Sequence, residues 1–337
     1  MVTLKDVAAE AGVSITTVSN VVHNRANRVS PEMVAKIWEI IERLNYVPSM
    51  TARTLANDNS YIIGVISHVT PDNMGSTMSD PFQSAFVDSI EQCTREEGYY
   101  IMVRAVEDAR ALEALSRSWR LSGIIMTGMY QDEFFERVRN LGIPFVLIDS
   151  YVDCPEVFNI GLEDEKGTYM ATKHLLDNGH RTIAFASPTI RDGGVVHKRF
   201  QGYRRALNEY GIEFDPKLVF TQEISVEEGQ QLGMKLAGYP EITGIVASAD
   251  ILAAGIMSGL KKCGVSVPED KSVIGFDDNY LCRLTNPCLT TIHQDAEIKG
   301  ILATKMIIAQ LRGEEPEQRK VILPVSLIER ESVRRMI

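Results

Sequence analysis

An all-α amino-terminal segment followed by an α/β core of doubly wound parallel sheets is the fold class that this sequence predicts. Three observations carry that expectation. The first sixty or so residues hold helix-capping residues ahead of apolar stripes of helical period. From Tyr61 onward, short β-rich runs alternate with longer amphipathic ones. Four of those runs, "REEGYYIMV", "RNLGIPFVL", "DNGHRTIAF" and "KKCGVSVPEDKSVIGF", end a helix at a glycine and enter a strand.

The whole chain sets limits. At 337 residues it exceeds one ordinary core, so two or three domains are expected. A composition of 45% hydrophobic and 24% charged residues is that of a globular protein. No apolar run approaches about 18 residues and no signal-peptide core stands near the start, which makes a cytoplasmic protein without membrane contact the expectation. Cys93, Cys154, Cys263, Cys282 and Cys288 are odd in number and lack C-x-x-C spacing, so buried free thiols are expected. The net charge of −10 is uneven. Residues 1–60 balance Lys5, Arg25, Arg28, Lys36, Arg43 and Arg53 against as many acids, leaving the excess acid on the remainder.

Taken in order, Thr3 caps a first helix from Leu4 to about Ala11, with Asp6 in its first turn. Gly12 suits the tight turn that follows, and Ser14 caps a second helix. In that helix Val18, Val21 and Val22 gather on one side, while Ile15, Thr16, Ser19, Asn20 and His23 share another arc. Two short helices across a glycine turn form a helix-turn-helix, whose second member lies in the DNA major groove. A third helix begins at Ser30 and Pro31, with Val34, Ile37, Trp38, Ile41 and Leu44 as its stripe, and ends by Asn45 and Pro48. A plain helical bundle would explain the valines but not the polar arc around an outward Ile15.

"VTLKDVAAEAGVSITTVSNVV" and "VSPEMVAKIWEIIERLNYVPSMTARTLA" resemble the DNA-binding headpiece and hinge of the LacI/GalR family of bacterial transcription regulators. The resemblance implies that Ile15, Thr16 and Asn20 face base edges. It implies that Thr3, Ser14, Thr17, Ser19 and Arg28 contact or adjoin phosphates, that Tyr46 and Pro48 brace the headpiece, and that His23 and Ala52 belong to the same surface. Position 20 departs from a common arginine after "TVS". Asparagine pairs best with adenine and arginine with guanine, so the sequence read should differ. Residues 50–58 are too short to hold a helix alone, and the resemblance makes them a hinge helix whose Leu55 wedges into the minor groove. A plain linker suits "ANDNS".

In the body, strands are expected at residues 61–67, 99–105, 123–128, 144–149, 182–187, 218–222, 244–248 and 272–278, each nearly continuous in apolar character as in a sheet covered on both faces. "GHRTIAF", "RFQGYRRAL", "VIGFDDNYL", "LTTIHQD" and "LPVSLIERES" extend the same resemblance to Arg335 and imply a two-lobed periplasmic-binding-protein-like core. The expected organisation is a headpiece at 1–48, a hinge at 49–60 and a core at 61–337. One lobe would comprise about 61–160 and 290–320, the other about 161–288 and 321–337.

Ligands of such sheets bind at the carboxyl ends of the strands. Asp149 and Asp277 close strands there and Arg199 opens "RFQGY". The resemblance assigns Arg199 and Asp277 to effector recognition, with Asp149 as a partner and Asp250 beside them. Carboxylate and guanidinium groups suit sugar hydroxyls, and Phe82 offers an apolar face for a pyranose ring. Capping of the next segment competes for Asp277 and Asp278, and an interlobe salt bridge competes for Arg199. Two departures bear on the pocket: Ser248-Ala249-Asp250 replaces the frequent Ser-Asn-Asp, and the loop at 68–82 is long.

No dinucleotide or Walker loop, nucleophile elbow or ligand-spaced histidine cluster occurs; His180, His23 and His293 stand alone. The expected protein is therefore a non-enzymatic, cofactor-free and metal-free repressor. It reads a pseudo-palindromic operator as a homodimer and answers to a small-molecule effector, expected to be a carbohydrate. A purine or nucleoside effector, or a phosphorylated carrier protein, is an alternative. A secreted solute-binding receptor would carry a signal peptide in place of residues 1–57.

Overall fold

The computed structural model describes residues 2–22, 29–47, 60–70 and 78–336. The chain divides into two compact units, Met1–Ser60 and Tyr61–Ile337.

The first unit holds helices α1 (Leu4–Ala11), α2 (Ile15–Val22) and α3 (Pro31–Arg43). Local chemistry sets each start. The Thr3 hydroxyl accepts from the Asp6 N–H, and the Asp6 carboxylate accepts from the Thr3 N–H at 2.8 Å, a reciprocal capping box. Gly12, at φ 72°, ends α1 in the left-handed region that glycine enters without penalty. Ser14 Oγ accepts from the Thr17 N–H at 3.1 Å, and Ser30 Oγ accepts from the Met33 N–H at 3.3 Å ahead of Pro31. Val7, Ala8, Ala11, Val18, Val21, Ile37, Ile40, Ile41 and Tyr46 form the miniature core. Trp38, expected in that core, is instead 41% exposed. Ile40 completes the buried stripe with Ile37 and Ile41, and Trp38 falls on its rim.

Among the described residues the second unit contains two six-stranded sheets. In the first, β1 (Ile62–His68), β2 (Tyr100–Val106), β3 (Gly123–Thr127), β4 (Phe145–Ile148), β5 (Phe158–Leu162) and β11 (Lys320–Leu323) run parallel in the order β2-β1-β3-β4-β5-β11. The second has β6 (Ile183–Ser187), β7 (Val219–Thr221), β8 (Gly244–Ala247), β9 (Ser272–Asp277), β10 (Thr290–His293) and β12 (Ser326–Ile328), ordered β7-β6-β8-β9-β10-β12. Only β12 there is antiparallel, to β10. The connecting helices are α4 (Pro81–Glu96), α5 (Ala109–Trp119), α6 (Glu133–Arg139), α7 (Asp164–Asp177), α8 (Val195–Glu209), α9 (Val226–Leu236), α10 (Asp250–Lys262) and α11 (Ala296–Leu311). Both orders reverse beside their first strand, between β1 and β3 and between β6 and β8, which opens a crevice at the strands' carboxyl ends.

The lobes exchange chain differently from the expected boundaries. Thr290–His293, expected in the first lobe, pairs with β9 in the second, Thr290 opposite Ile274. Residues 321–323, expected in the second lobe, lie in β11, which pairs with β5, Lys320 opposite Asn159. The chain therefore crosses three times: after β5, after β10 and after β11. The expectation that the cysteines are buried also needs correction. All five are free thiols, but only Cys154 and Cys282 are buried, and Cys263 is exposed. Among the described residues no helix is long and apolar enough to cross a membrane.

Candidate functional site

The headpiece offers one polar face. Ile15, expected to point outward, is 48% exposed, and Ser14 and Thr16 are exposed beside it. Thr17, Ser19 and Asn20 are half-buried, and the Thr17 hydroxyl lies 2.8 Å from that of Ser14. Helix α2 has no acid in its first turn, which leaves its positive amino end uncancelled. Thr3 differs, because its hydroxyl donates to Asp6 at 2.7 Å and helps hold that carboxyl below its ordinary range. Tyr46 is buried in the miniature core. His23, Arg28, Pro48, Ala52 and Leu55 lie outside the described residues.

Between the lobes of the second unit lies a cleft of about 560 Å³, lined by Phe82, Asp149, Arg199 and Asp277 as expected and also by Asp80, Tyr130, Glu223, Glu228 and Gln294. Arg199 projects from α8. Its Nε donates to Asp164 Oδ1 at 2.8 Å and its Nη1 to the Ser248 carbonyl at 2.5 Å, while Asp277 Oδ1 lies 3.9 Å away. The guanidinium carbon sits 3.6 Å from the centre of the Phe276 ring. Burial opposes its charge, but Asp164 and Asp277 outweigh burial and raise its pKa. Both acids belong to the second lobe, so the expected rival role, an interlobe bridge, is not the one Arg199 plays.

Asp149, at the end of β4, meets a partner that sequence reasoning missed. Lys299 Nζ, fully buried on α11, donates to both of its oxygens at 2.9 and 2.7 Å and to Gln294 Oε1 at 2.9 Å. Gln294 Nε2 in turn donates to Asp277 Oδ1 at 2.6 Å. One bonded chain, Asp149–Lys299–Gln294–Asp277, thus runs from the first lobe to the second. Burial pushes Asp277 well above the carboxylate range against the pull of Arg199, and raises Asp149 against the pull of Lys299. Asp149 (φ 50°) and Asp277 (φ 119°) both occupy backbone space that side chains disfavour. Such strain gathers where a site demands it.

Asp278 turns the other way, toward Arg330 Nη2 at 2.5 Å and His293 Nδ1 at 3.1 Å. The next turn is capped by Asn279, which removes the capping role considered for the two acids. Asp250 departs from its expected place. It is fully buried outside the cleft lining, where Oδ1 accepts from the Thr291 hydroxyl at 2.5 Å and Oδ2 from the Asn279 N–H at 3.0 Å. His180 is structural: its ring nitrogens meet Thr243 Oγ1 at 3.0 Å and the Arg334 carbonyl at 3.1 Å. Among the described residues no three His, Cys, Asp or Glu side chains group to hold a metal ion.

The rim of the cleft carries a direct contact between lobes. Arg191, between β6 and α8, donates to Asp132 Oδ2 at 3.0 Å, and its guanidinium carbon stands 3.9 Å from the centre of the Tyr130 ring. Asp132 Oδ1 meanwhile caps α6 through the Phe135 N–H at 3.2 Å. The Tyr130 ring also packs on Gly194, where an added Cβ would lie 2.7 Å from it.

Comparison with known proteins agrees with this architecture. Residues 3–49 match the family model described as bacterial regulatory proteins, lacI family, and residues 172–333 match a periplasmic binding protein-like domain. The chain is 30% identical over 335 residues to the HTH-type transcriptional regulator RegA of Clostridium saccharobutylicum, covering 98% of each chain. It is 29% identical to the HTH-type transcriptional repressor PurR of Mannheimia succiniciproducens over the full length of both. Its structure matches the lac repressor dimer bound to operator and the anti-inducer ONPF with a TM-score of 0.84, at 28% identity and 99% coverage of each chain.

Proposed function

Since the chain belongs to the LacI family and is a DNA-binding transcription regulator rather than an enzyme, we propose that it is a cytoplasmic repressor whose operator affinity is set by a carbohydrate held in the interlobe cleft. A homodimer reads a pseudo-palindrome, one headpiece to each half-site. Ile15, Thr16 and Asn20 meet base edges; Thr3, Ser14, Thr17, Ser19 and Arg28 lie along phosphates, with His23 beside them. Residues 49–60 act as the hinge, with Ala52 and Leu55 toward the minor groove. The observation that carries the DNA reading is the uncharged outer face of α2, with exposed Ile15 and Thr16 opposite buried Val18 and Val21. A face without acids approaches the duplex at no electrostatic cost, and its hydroxyls and amide discriminate base edges.

The effector reading is supported by Arg199, Asp277, Asp149 and Phe82 lining one cleft. Charged groups bond sugar hydroxyls more strongly than neutral ones do, and Phe82 adds an apolar surface. Closure of the lobes would alter the spacing of the two hinges, and a coupling of about 1–3 kcal/mol changes operator affinity about 5- to 150-fold. Selection of binding sites from random duplexes, repeated with a panel of free sugars, tests this. A sharp pseudo-palindrome whose affinity moves at least about fivefold with one sugar is expected; equal weak binding to every duplex, indifferent to every compound, overturns it.

A further inference from the structure

The cleft has a charge imbalance that bears on which effectors it admits. Asp80, Asp149, Asp277, Glu223 and Glu228 line it, against Arg199 alone. Behind this lining, Lys299 answers Asp149, but Asp164 takes up Arg199. Among the described residues, two basic side chains therefore stand against six acidic ones. The amino ends of α8 and α10 lack side-chain caps and each add about half a positive charge. Acidic side chains still outnumber these positive groups.

Asp80 and Asp277 come from opposite lobes. Asp80 Oδ1 accepts from the Phe82 N–H at 3.0 Å where α4 begins, and Asp277 ends β9. Burial disfavours the charge on both. A donor brought by an occupant offsets that cost, whereas an anion adds to it. Thr70 Oγ1 of the first lobe and Ser248 Oγ of the second, on lining residues that are 4% and 2% exposed, are buried without a hydrogen-bond partner among the described residues. Each lobe therefore holds bonding capacity that the described residues leave unused.

We propose that the cleft selects its effector by charge, with Asp80 of the first lobe and Asp277 of the second as paired acceptors for the hydroxyl or amine donors of a molecule without negative charge. Phosphorylated and carboxylated metabolites are refused. Donors shared between the two acids also draw the lobes together, so the feature that selects the effector favours closure. This rests on the effector reading above and narrows it, because Asp80 becomes a specificity-determining residue.

Calorimetry of the full chain tests it with matched probes: glucose, galactose and mannose, each as the free sugar, the 2-amino sugar and the 6-phosphate. The free or amino form of a sugar that binds is expected to bind roughly ten- to a hundredfold more tightly than its phosphate. Asp80→Asn, which keeps an oxygen for the Phe82 N–H, should weaken the free or amino form and narrow that ratio. Glu223→Gln, which removes one acid of the lining, should narrow the ratio as well. A phosphate that binds as well as its parent overturns the charge inference and leaves the effector reading intact. An unchanged ratio in both variants overturns it as well. If no probe in any form binds, or alters operator binding, the carbohydrate reading itself falls.

Discussion

The Arg191 guanidinium of the second lobe bonds Asp132 of the first at 3.0 Å while lying 3.9 Å from the Tyr130 ring centre. The ion pair is partly exposed, with side chains 38% and 29% accessible, so solvent screens it to less than about 1 kcal/mol. The ring contact adds about 0.5–1 kcal/mol. Arg191→Ala should therefore leave the melting temperature of the core within about 3 °C. It should speed dissociation of a bound effector about three- to tenfold by loosening the closed state, measured by stopped-flow fluorescence. An unchanged dissociation rate would show that this contact does not hold the cleft shut.

Asn20 sits half-buried on the outward side of α2. Asn20→Arg should shift the preferred base at one symmetric pair of operator positions from adenine to guanine, with about 1–3 kcal/mol of discrimination. A selection profile indifferent to the substitution would remove Asn20 from base readout.

Lys299→Met would leave Asp149 half-buried at the cleft wall without the fully buried cation that answers it. Removing one member of a buried pair costs about 3–5 kcal/mol, so urea unfolding of the core should shift by about that amount at pH 7. The loss should shrink in acid, because a protonated Asp149 tolerates burial, and adding Asp149→Asn should restore part of it. Full stability in the single variant would contradict the bonded geometry.

Asp250 is pushed from 3.8 to about 6 by burial. The folded state thus keeps the proton to higher pH than the unfolded chain does. The resulting stabilisation is complete below about pH 4 and is lost as pH rises through about 6, a change of about 3 kcal/mol. Asp250→Asn should flatten the pH dependence of stability between about pH 4 and 6 by that amount, as followed by urea unfolding at each pH.

The elements that sequence could supply are those set by near neighbours. Thr3 with Asp6, Ser14 with Thr17 and Ser30 with Met33 each act across three residues, so the three headpiece helices were legible. Trp38 was misplaced because helical period separates faces but not the centre of a stripe from its rim. Strands β5, β10, β11 and β12 were not named as strands, and the pair β10 and β11 shows why. Each is four residues long, one rich in threonine and the other begun by lysine, and their identity comes from β9 and β5 beside them. Asp149, Arg199 and Asp277 were legible as charges at strand ends, but Lys299 is 150 positions from Asp149 and has no local signal beyond being charged in an apolar helix. Asp250 shows the opposite failure. It stands next to lining residues in sequence, yet it lies under Gly275, where a Cβ would come 2.2 Å from its oxygen.

Three passages of the backbone between lobes mean that neither half is contiguous, and this has a consequence for biosynthesis. The first sheet lacks its sixth strand until Leu323 has been made, and the second waits for β12 and for Ser332, whose hydroxyl accepts from the Thr290 N–H at 2.8 Å. At ordinary translation speeds the nascent β5 edge is bare for on the order of ten seconds before β11 arrives. An unpaired edge recruits foreign strands. Truncation before Lys320 would thus harm folding of the entire sensor, because the strands it removes close sheets that were begun much earlier.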